Sequence, residues 1–192
     1  MKPTMHRVTA TVLSPLGPLL LAATPSGLSG VWFMDQRHLP AEREVQDWTP
    51  VRDNAILNTA ADQLTAFFAH RLNRFDLPLD LSAGTAFQSS VWRALLDIPF
   101  GQTRSYGELA RAIGKPAAVR AVGAAIGRNP LGIVVPCHRV IGAQGALTGY
   151  AGGLDRKAAL LRLEGALIDK AHQSLGQTTS TGDPAAQPLP AH

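Results

Sequence analysis

The chain has 192 residues, 45% of them hydrophobic, with one cysteine and a formal net charge of +4. That length holds one large domain or two small ones around a real core, and a lone cysteine excludes an internal disulfide or a cysteine-built metal cluster. The charge is uneven: residues 1–84 carry seven Lys/Arg against eight Asp/Glu, residues 85–172 eleven against five, and residues 173–192 a single Asp.

The first residues lead into an alternating segment rather than a signal-peptide core. Val8, Ala10 and Val12 against Thr9 and Thr11 predict a strand over 7–13. Ser14-Pro15-Leu16-Gly17-Pro18 is a turn. Residues 19–23 and 28–34 read as two further strands around the turn Thr24-Pro25-Ser26-Gly27, which together predict an antiparallel meander. The apolar stretch 16–23 is short and carries Gly17 and Pro18, so no membrane span is expected. A polar, proline-containing stretch fills 35–52. Ile56, Leu57, Ala60, Leu64, Phe67 and Phe68 then recur at helical spacing over 54–70, with Asp53 or Asn54 as cap.

A domain boundary is expected near Ser82-Ala83-Gly84. Thr85 with Gln88, and Ser105 with Glu108, have capping-box spacing and predict two helix starts. Residues 106–113, the breaker Gly114-Lys115-Pro116 and residues 117–127 then read as a helix-turn-helix in the basic half. Its second helix is small-sided, with Ala117, Ala118, Ala121, Gly123, Ala124 and Ala125, and would let the backbone approach another surface closely. Close packing against another helix would use the same residues. Excess basic charge on this half suggests a polyanion partner, although by charge alone a merely soluble basic surface is the stronger reading. Ile126 is an apolar residue near the end of that helix. A last helix is expected over 154–166. Residues 173–192, low in large apolar side chains, are expected to be disordered. The domains are thus 1–84, an N-terminal α/β unit; 85–172, a C-terminal unit; and 173–192, a tail.

Cys137 closes an apolar, β-branched run and is followed by His138 and Arg139. A lone cysteine is as often a small buried apolar residue as a nucleophile. Here the cationic neighbours are expected to favour the thiolate, the reactive form. One cysteine and no leader sequence point to a reducing, cytoplasmic setting.

The run Pro136-Cys137-His138-Arg139-Val140 resembles the active-site signature of the O6-alkylguanine-DNA alkyltransferases, or methylated-DNA–protein-cysteine methyltransferases. The likeness extends over residues 84–165, through Gly101-Gln102-Thr103, Ser105-Tyr106-Gly107-Glu108, Ala118-Val119-Arg120-Ala121-Val122-Gly123, Arg128-Asn129-Pro130, Thr148-Gly149-Tyr150-Ala151-Gly152-Gly153, Lys157 and Glu164-Gly165. The resemblance implies an α+β fold, with a ribonuclease H-like leading domain and a winged-helix-like domain behind it. It implies a monomer that binds duplex DNA in the minor groove, flips out O6-alkylguanine and moves the alkyl group irreversibly to Cys137, without a cofactor; O4-alkylthymine is left open as a second substrate.

Carried over by position, His138 is the base, acting through a water, and Glu164 polarises it. Tyr106 helps rotate the nucleotide and hydrogen-bonds the base. Arg120 fills the stack the base leaves, with Ala118 and Arg128 on the DNA side. Asn129 is a hinge between the recognition helix and an active-site strand. Tyr150 is a pocket wall, and the main chains of Cys137, Val140 and Ala151 touch the base. No metal is expected, because residues 1–84 lack cysteine and His6, His38 and His70 have no ligand spacing. Two other functions compete. An alkyltransferase-like lesion binder lacks the cysteine, typically having tryptophan instead. A cysteine hydrolase would leave the helix-turn-helix and Arg120 without a role.

Overall fold

The computed structural model describes residues 6–41 and 45–167; the expected tail, 173–192, lies outside the described residues. Strands β1 (Val8–Val12), β2 (Leu19–Thr24) and β3 (Gly27–Phe33) form the expected antiparallel meander, with Thr11 opposite Leu20 and Leu21 opposite Val31. Helix α1 (Ala55–Phe68) lays Leu57, Ala60, Leu64 and Phe67 against the core. Asn54 caps it: Oδ1 accepts from the N–H groups of Ile56 and Leu57, both at 3.1 Å, a contribution of about 1 kcal/mol.

The polar stretch before α1 holds an unexpected strand, β4 (Thr49–Pro50), which pairs parallel with β1. The sheet order is β3-β2-β1-β4, so its last pairing departs from the all-antiparallel expectation. Two residues, one of them a proline, give no periodicity to detect; an edge position is where a strand tolerates proline.

In the second half both capping boxes form, starting α2 (Ala86–Leu96) and α3 (Tyr106–Ala112). The expected helix over 117–127 begins instead as a single 3-10 turn, Pro116–Ala118, and becomes α4 at Val119–Gly127. Pro116 sits in the first turn, where its missing N–H costs nothing. A 3-10 turn at Cys137–Arg139 leads into β6 (Val140–Ile141), which pairs parallel with β5 (Arg104–Ser105). Helix α5 (Leu154–Leu163) ends three residues earlier than expected, with Glu164 as its C-cap. The mixed α/β class is as the sequence implies.

One connection positions the site. The outer edge of β3 does not face solvent alone. The Val31 N–H donates to the Pro130 carbonyl (2.8 Å), and the Gly132 N–H donates to the Val31 carbonyl (3.0 Å). The Leu28 N–H likewise donates to Pro78, and the Asp80 N–H to Leu28, both at 2.8 Å. The first-half sheet thereby fixes the backbone that leads to Cys137, and a single buried cluster runs from Phe33 and Phe67 through Leu131 to Val91 and Leu160.

Candidate active site

The apolar run 131–136, where the family resemblance implies an active-site strand after Asn129, is a series of tight turns. The Asn129 side chain forces them. Its Nδ2 donates to the carbonyls of Val135 (2.8 Å) and Leu131 (3.4 Å), while its Oδ1 accepts from the Leu131 N–H at 3.0 Å. The Val134 N–H reaches the Gly132 carbonyl at 2.8 Å around Ile133, whose φ is +70°. A β-branched residue in that region is strained by roughly 1–3 kcal/mol. Burial of Ile133 and the Asn129 bonds hold it there. A further turn, from the Cys137 N–H to the Val135 carbonyl at 2.7 Å, delivers Cys137 to the 3-10 turn. The Asn129 amide also favours the ionised form of the thiol. Its expected place, between recognition helix and cysteine, is therefore occupied, although the partner is not a strand.

His138, next to Cys137 in the chain, meets Glu164 from 26 residues further on. His138 is fully buried, and its Nε2 lies 2.7 Å from Glu164 Oε1. Arg139 does not serve the thiol as expected. It turns away, donating from Nε to Glu164 Oε2 (2.8 Å), from Nη2 to Oε1 (3.0 Å) and from Nη1 to the Ile98 carbonyl (2.6 Å). Burial works against the Glu164 carboxylate, yet the bonds from His138 and Arg139 outweigh it and hold its pKa below the ordinary value. An ionised Glu164 can only accept, so Nε2 of His138 carries the proton. Nδ1 is then the basic nitrogen, and it is buried with no hydrogen-bond partner.

The electrostatics reverse the expectation of a resting thiolate. Burial pushes the Cys137 thiol above its ordinary value, over the opposing influence of the Asn129 amide and the charge of Lys157. Burial likewise lowers His138, so its imidazole is neutral at neutral pH. The resting pair is thus a thiol beside a neutral base. Such a cysteine is shielded from adventitious oxidation and becomes a nucleophile when its proton moves.

Lys157 belongs to the stretch that resembles the family, and its place in the structure shows what it does. It is fully buried, and its Nζ donates to the carbonyls of Val140 (2.5 Å), Thr148 (2.6 Å) and Gly149 (3.5 Å). It therefore ties the strand after the cysteine to the loop 148–153. Burial lowers its pKa to about 8, against the pull of Cys137. A signal existed in the sequence: Lys157 shares the helical stripe of Leu160, Leu161 and Glu164, a lysine on the core face. Tyr106 bounds the same loop, its hydroxyl donating to the Thr148 carbonyl at 3.2 Å. Tyr150 is partly buried and couples electrostatically to Cys137. Val140 is fully buried, and Ala151 lies half-buried beside Tyr150.

The remaining predicted residues stand apart from the thiol. Ala117, Arg120, Ala121, Ala124 and Arg128 form an exposed face of the 3-10 turn, α4 and its cap, with Ala118 half-buried at its start. Val122, Ala125 and Ile126 face inward. Ile126 is thus a core residue: the helical period places it on the buried side. The Trp92 indole N–H donates to the Ala125 carbonyl at 2.8 Å and anchors α4 to α2. Among the described residues no helix is long and apolar enough to cross a membrane, and no group of His, Cys, Asp or Glu is placed to hold a metal.

Known proteins share this arrangement. Residues 86–166 match the family described as 6-O-methylguanine DNA methyltransferase, DNA binding domain, and residues 8–81 match its ribonuclease-like domain. A methylated-DNA–protein-cysteine methyltransferase of Mycobacterium bovis is 54% identical over 154 residues, 80% of this chain and 90% of the relative. One from Methanosarcina acetivorans is 54% identical over 153 residues, 79% of this chain and 94% of the relative. The crystal structure of Mycobacterium tuberculosis OGT in complex with DNA superposes with a TM-score of 0.73 at 52% identity, covering 84% of this chain and 93% of that one. The chain belongs to the 6-O-methylguanine DNA methyltransferase family.

Proposed function

We propose that this protein repairs DNA by carrying the alkyl group from O6 of guanine to Cys137, once per molecule. The buried Cys137–His138–Glu164 array, with Nδ1 of His138 as its basic atom, is the observation that carries the reading. The thiol proton passes, through a water, to His138 Nδ1, and Glu164 stabilises the imidazolium that forms. The sulfur attacks the alkyl carbon in line with the carbon–oxygen bond, which breaks as carbon–sulfur forms. The bonding pair leaves on the guanine, where a hydrogen bond from Tyr106 steadies the growing charge. Burial raises the pKa of Tyr106, which keeps it a donor at neutral pH. The thioether has no route back to a thiol, so the protein is consumed.

A base inside a duplex is out of the thiol's reach and must be flipped. The small exposed face of α4 suits close approach to the groove, and Arg120 stands on it as the side chain to fill the gap. We assign residues 85–172 to DNA binding and alkyl acceptance, and residues 1–84 to supporting them. A protein that depends on a free thiol suits the reducing cytoplasm. Cys137 separates this chain from the lesion-binding relatives that lack the cysteine.

Arg120→Ala tests the flipping role. Repair of O6-benzylguanine within a duplex falls by about tenfold or more, the scale of a few kcal/mol of unstacking left uncompensated. Reaction with free O6-benzylguanine, which needs no extrusion, stays near wild type. Equal losses on both substrates would place Arg120 in the pocket or in folding.

The pH profile tests the base. Because burial lowers the pKa of His138, its neutral form persists below the ordinary 6.5. The acid limb of the single-turnover rate therefore falls below that value. On the alkaline side Lys157 loses its charge near 8, and with it part of the support for a thiolate. An acid limb at or above 6.5 would contradict the assignment.

A further inference from the structure

The turn Ser14-Pro15-Leu16-Gly17-Pro18 has no part in the chemistry above, yet it is shaped to receive one side chain of the second half. Ser14 Oγ donates to the Gly17 carbonyl (2.6 Å) and accepts from the Leu16 N–H (3.2 Å). Gly17 has φ +114°, and a Cβ there would lie 3.0 Å from Arg156 Nη2. Only glycine gives both the conformation and the room. Arg156, in the first turn of α5, enters this space. Its Nε donates to the Leu16 carbonyl at 2.8 Å. Its Nη1 and Nη2 grip the Asp35 carboxylate at 2.8 and 3.0 Å, and Nη1 also donates to the Gly152 carbonyl at 3.2 Å. The guanidinium lies over the Phe33 ring, 4.3 Å from its centroid.

These contacts end on the wall of the site. Gly152 is wedged between Tyr150 and Phe33: a Cβ there would meet Tyr150 at 2.8 Å and Phe33 at 3.0 Å. The Arg37 N–H donates to the Ala151 carbonyl at 3.0 Å. Consecutive residues thus hold the two ends of one loop. Lys157 takes Thr148 and Gly149, and Arg156 takes Gly152. A cavity of about 470 Å³ borders the loop, lined by Asp35, Arg37, Tyr150 and Leu154. The wall therefore has open space beside it and is tied in place by the first-half turn and Asp35.

An isolated surface ion pair would be too weak for this task. Asp35 is 69% exposed, but the Arg156 side chain is only 20% exposed, bidentate and stacked on an aromatic ring. Geometry of that kind gives direction as well as energy. Resting on the alkyl-transfer reading, we infer that Arg156 is a positioning residue. Clamped by Asp35 and Leu16, it fixes the Tyr150–Gly152 wall and so sets which alkyl groups Cys137 accepts fastest. A fixed wall favours a small group. A released wall yields into the open space that borders it and admits a bulky one.

The test compares O6-methylguanine and O6-benzylguanine in the same duplex, under single-turnover conditions, in the full-length protein. Arg156→Met and Asp35→Ala are expected to raise the benzyl-to-methyl ratio of maximal rate constants by at least about fivefold. The methyl rate falls, and the DNA concentration giving half-maximal rate does not change. Asp35→Glu, which keeps the carboxylate, restores most of the wild-type ratio. Should Arg156→Met fold poorly, the exposed Asp35→Ala carries the test. An unchanged ratio, equal slowing of both substrates, or an effect only on the half-maximal concentration would overturn the inference. A wild-type chain that gained no methyl group would overturn the alkyl-transfer reading itself, and the inference with it.

Discussion

Cys137→Ser abolishes alkyl transfer and leaves the fold standing. The substitution replaces one sulfur by one oxygen at a site that is 5% exposed, and Asn129 retains a partner. The stability change is therefore small, within about 1 kcal/mol. The chemical change is large. A neutral imidazole such as His138 can take a thiol proton, whereas a hydroxyl is a far weaker acid. Displacement at a saturated carbon also needs a polarisable nucleophile, and oxygen is a poor one. The Asn129–Val135 bond and the Glu164–His138 bond do not involve sulfur, so far-ultraviolet circular dichroism and melting temperature stay near wild type. A variant that still gained label from alkylated DNA would move the acceptor elsewhere.

Glu164→Gln damages both the reaction and the protein. The carboxylate receives His138 on one oxygen and Arg139 on both. All three groups are buried, with Glu164 5% exposed and Arg139 7%. Glutamine can still accept from His138, so the ring keeps its orientation. It cannot balance the imidazolium that forms when the thiol proton arrives, and the rate falls by about 10²–10⁴-fold, the usual worth of acid–base assistance. It also leaves the Arg139 guanidinium without a counter-charge. Removing one partner of a buried pair costs about 3–5 kcal/mol, a large share of a typical 5–15 kcal/mol of stability. Rate and unfolding midpoint should therefore drop together in Glu164→Gln, whereas Cys137→Ser loses the rate alone. A Glu164→Gln protein with wild-type rate would remove Glu164 from the relay.

What could be read without coordinates followed the range of each signal. The capping boxes at Thr85 and Ser105 and the cap at Asn54 are local, and each formed where three or four residues said it would. Strand β4 was invisible because it exists only through its pairing with β1. The run 131–136 showed in sequence only as an apolar, β-branched stretch. Its backbone is captured by Asn129 on one side and by Val31 of β3 on the other, neither of which composition can reveal. The thiolate expectation failed for a related reason. Sequence put Arg139 beside Cys137, but the 3-10 turn sends its side chain to Glu164, and burial then decides the state of the thiol. Charge adjacency along a chain is not charge adjacency in space. Ile126 lies on the inner side because helical periodicity groups it with Val122 and Ala125.

The central claim is that Cys137 accepts one alkyl group and is spent. Mass spectrometry of the intact protein, after incubation with excess duplex DNA carrying O6-methylguanine, measures this directly. A gain of one methyl group per chain, located on the peptide that contains Cys137, with no further DNA repaired once the protein is saturated, is the result predicted. Repair of many lesions per molecule, or a methyl group on any other residue, would contradict it.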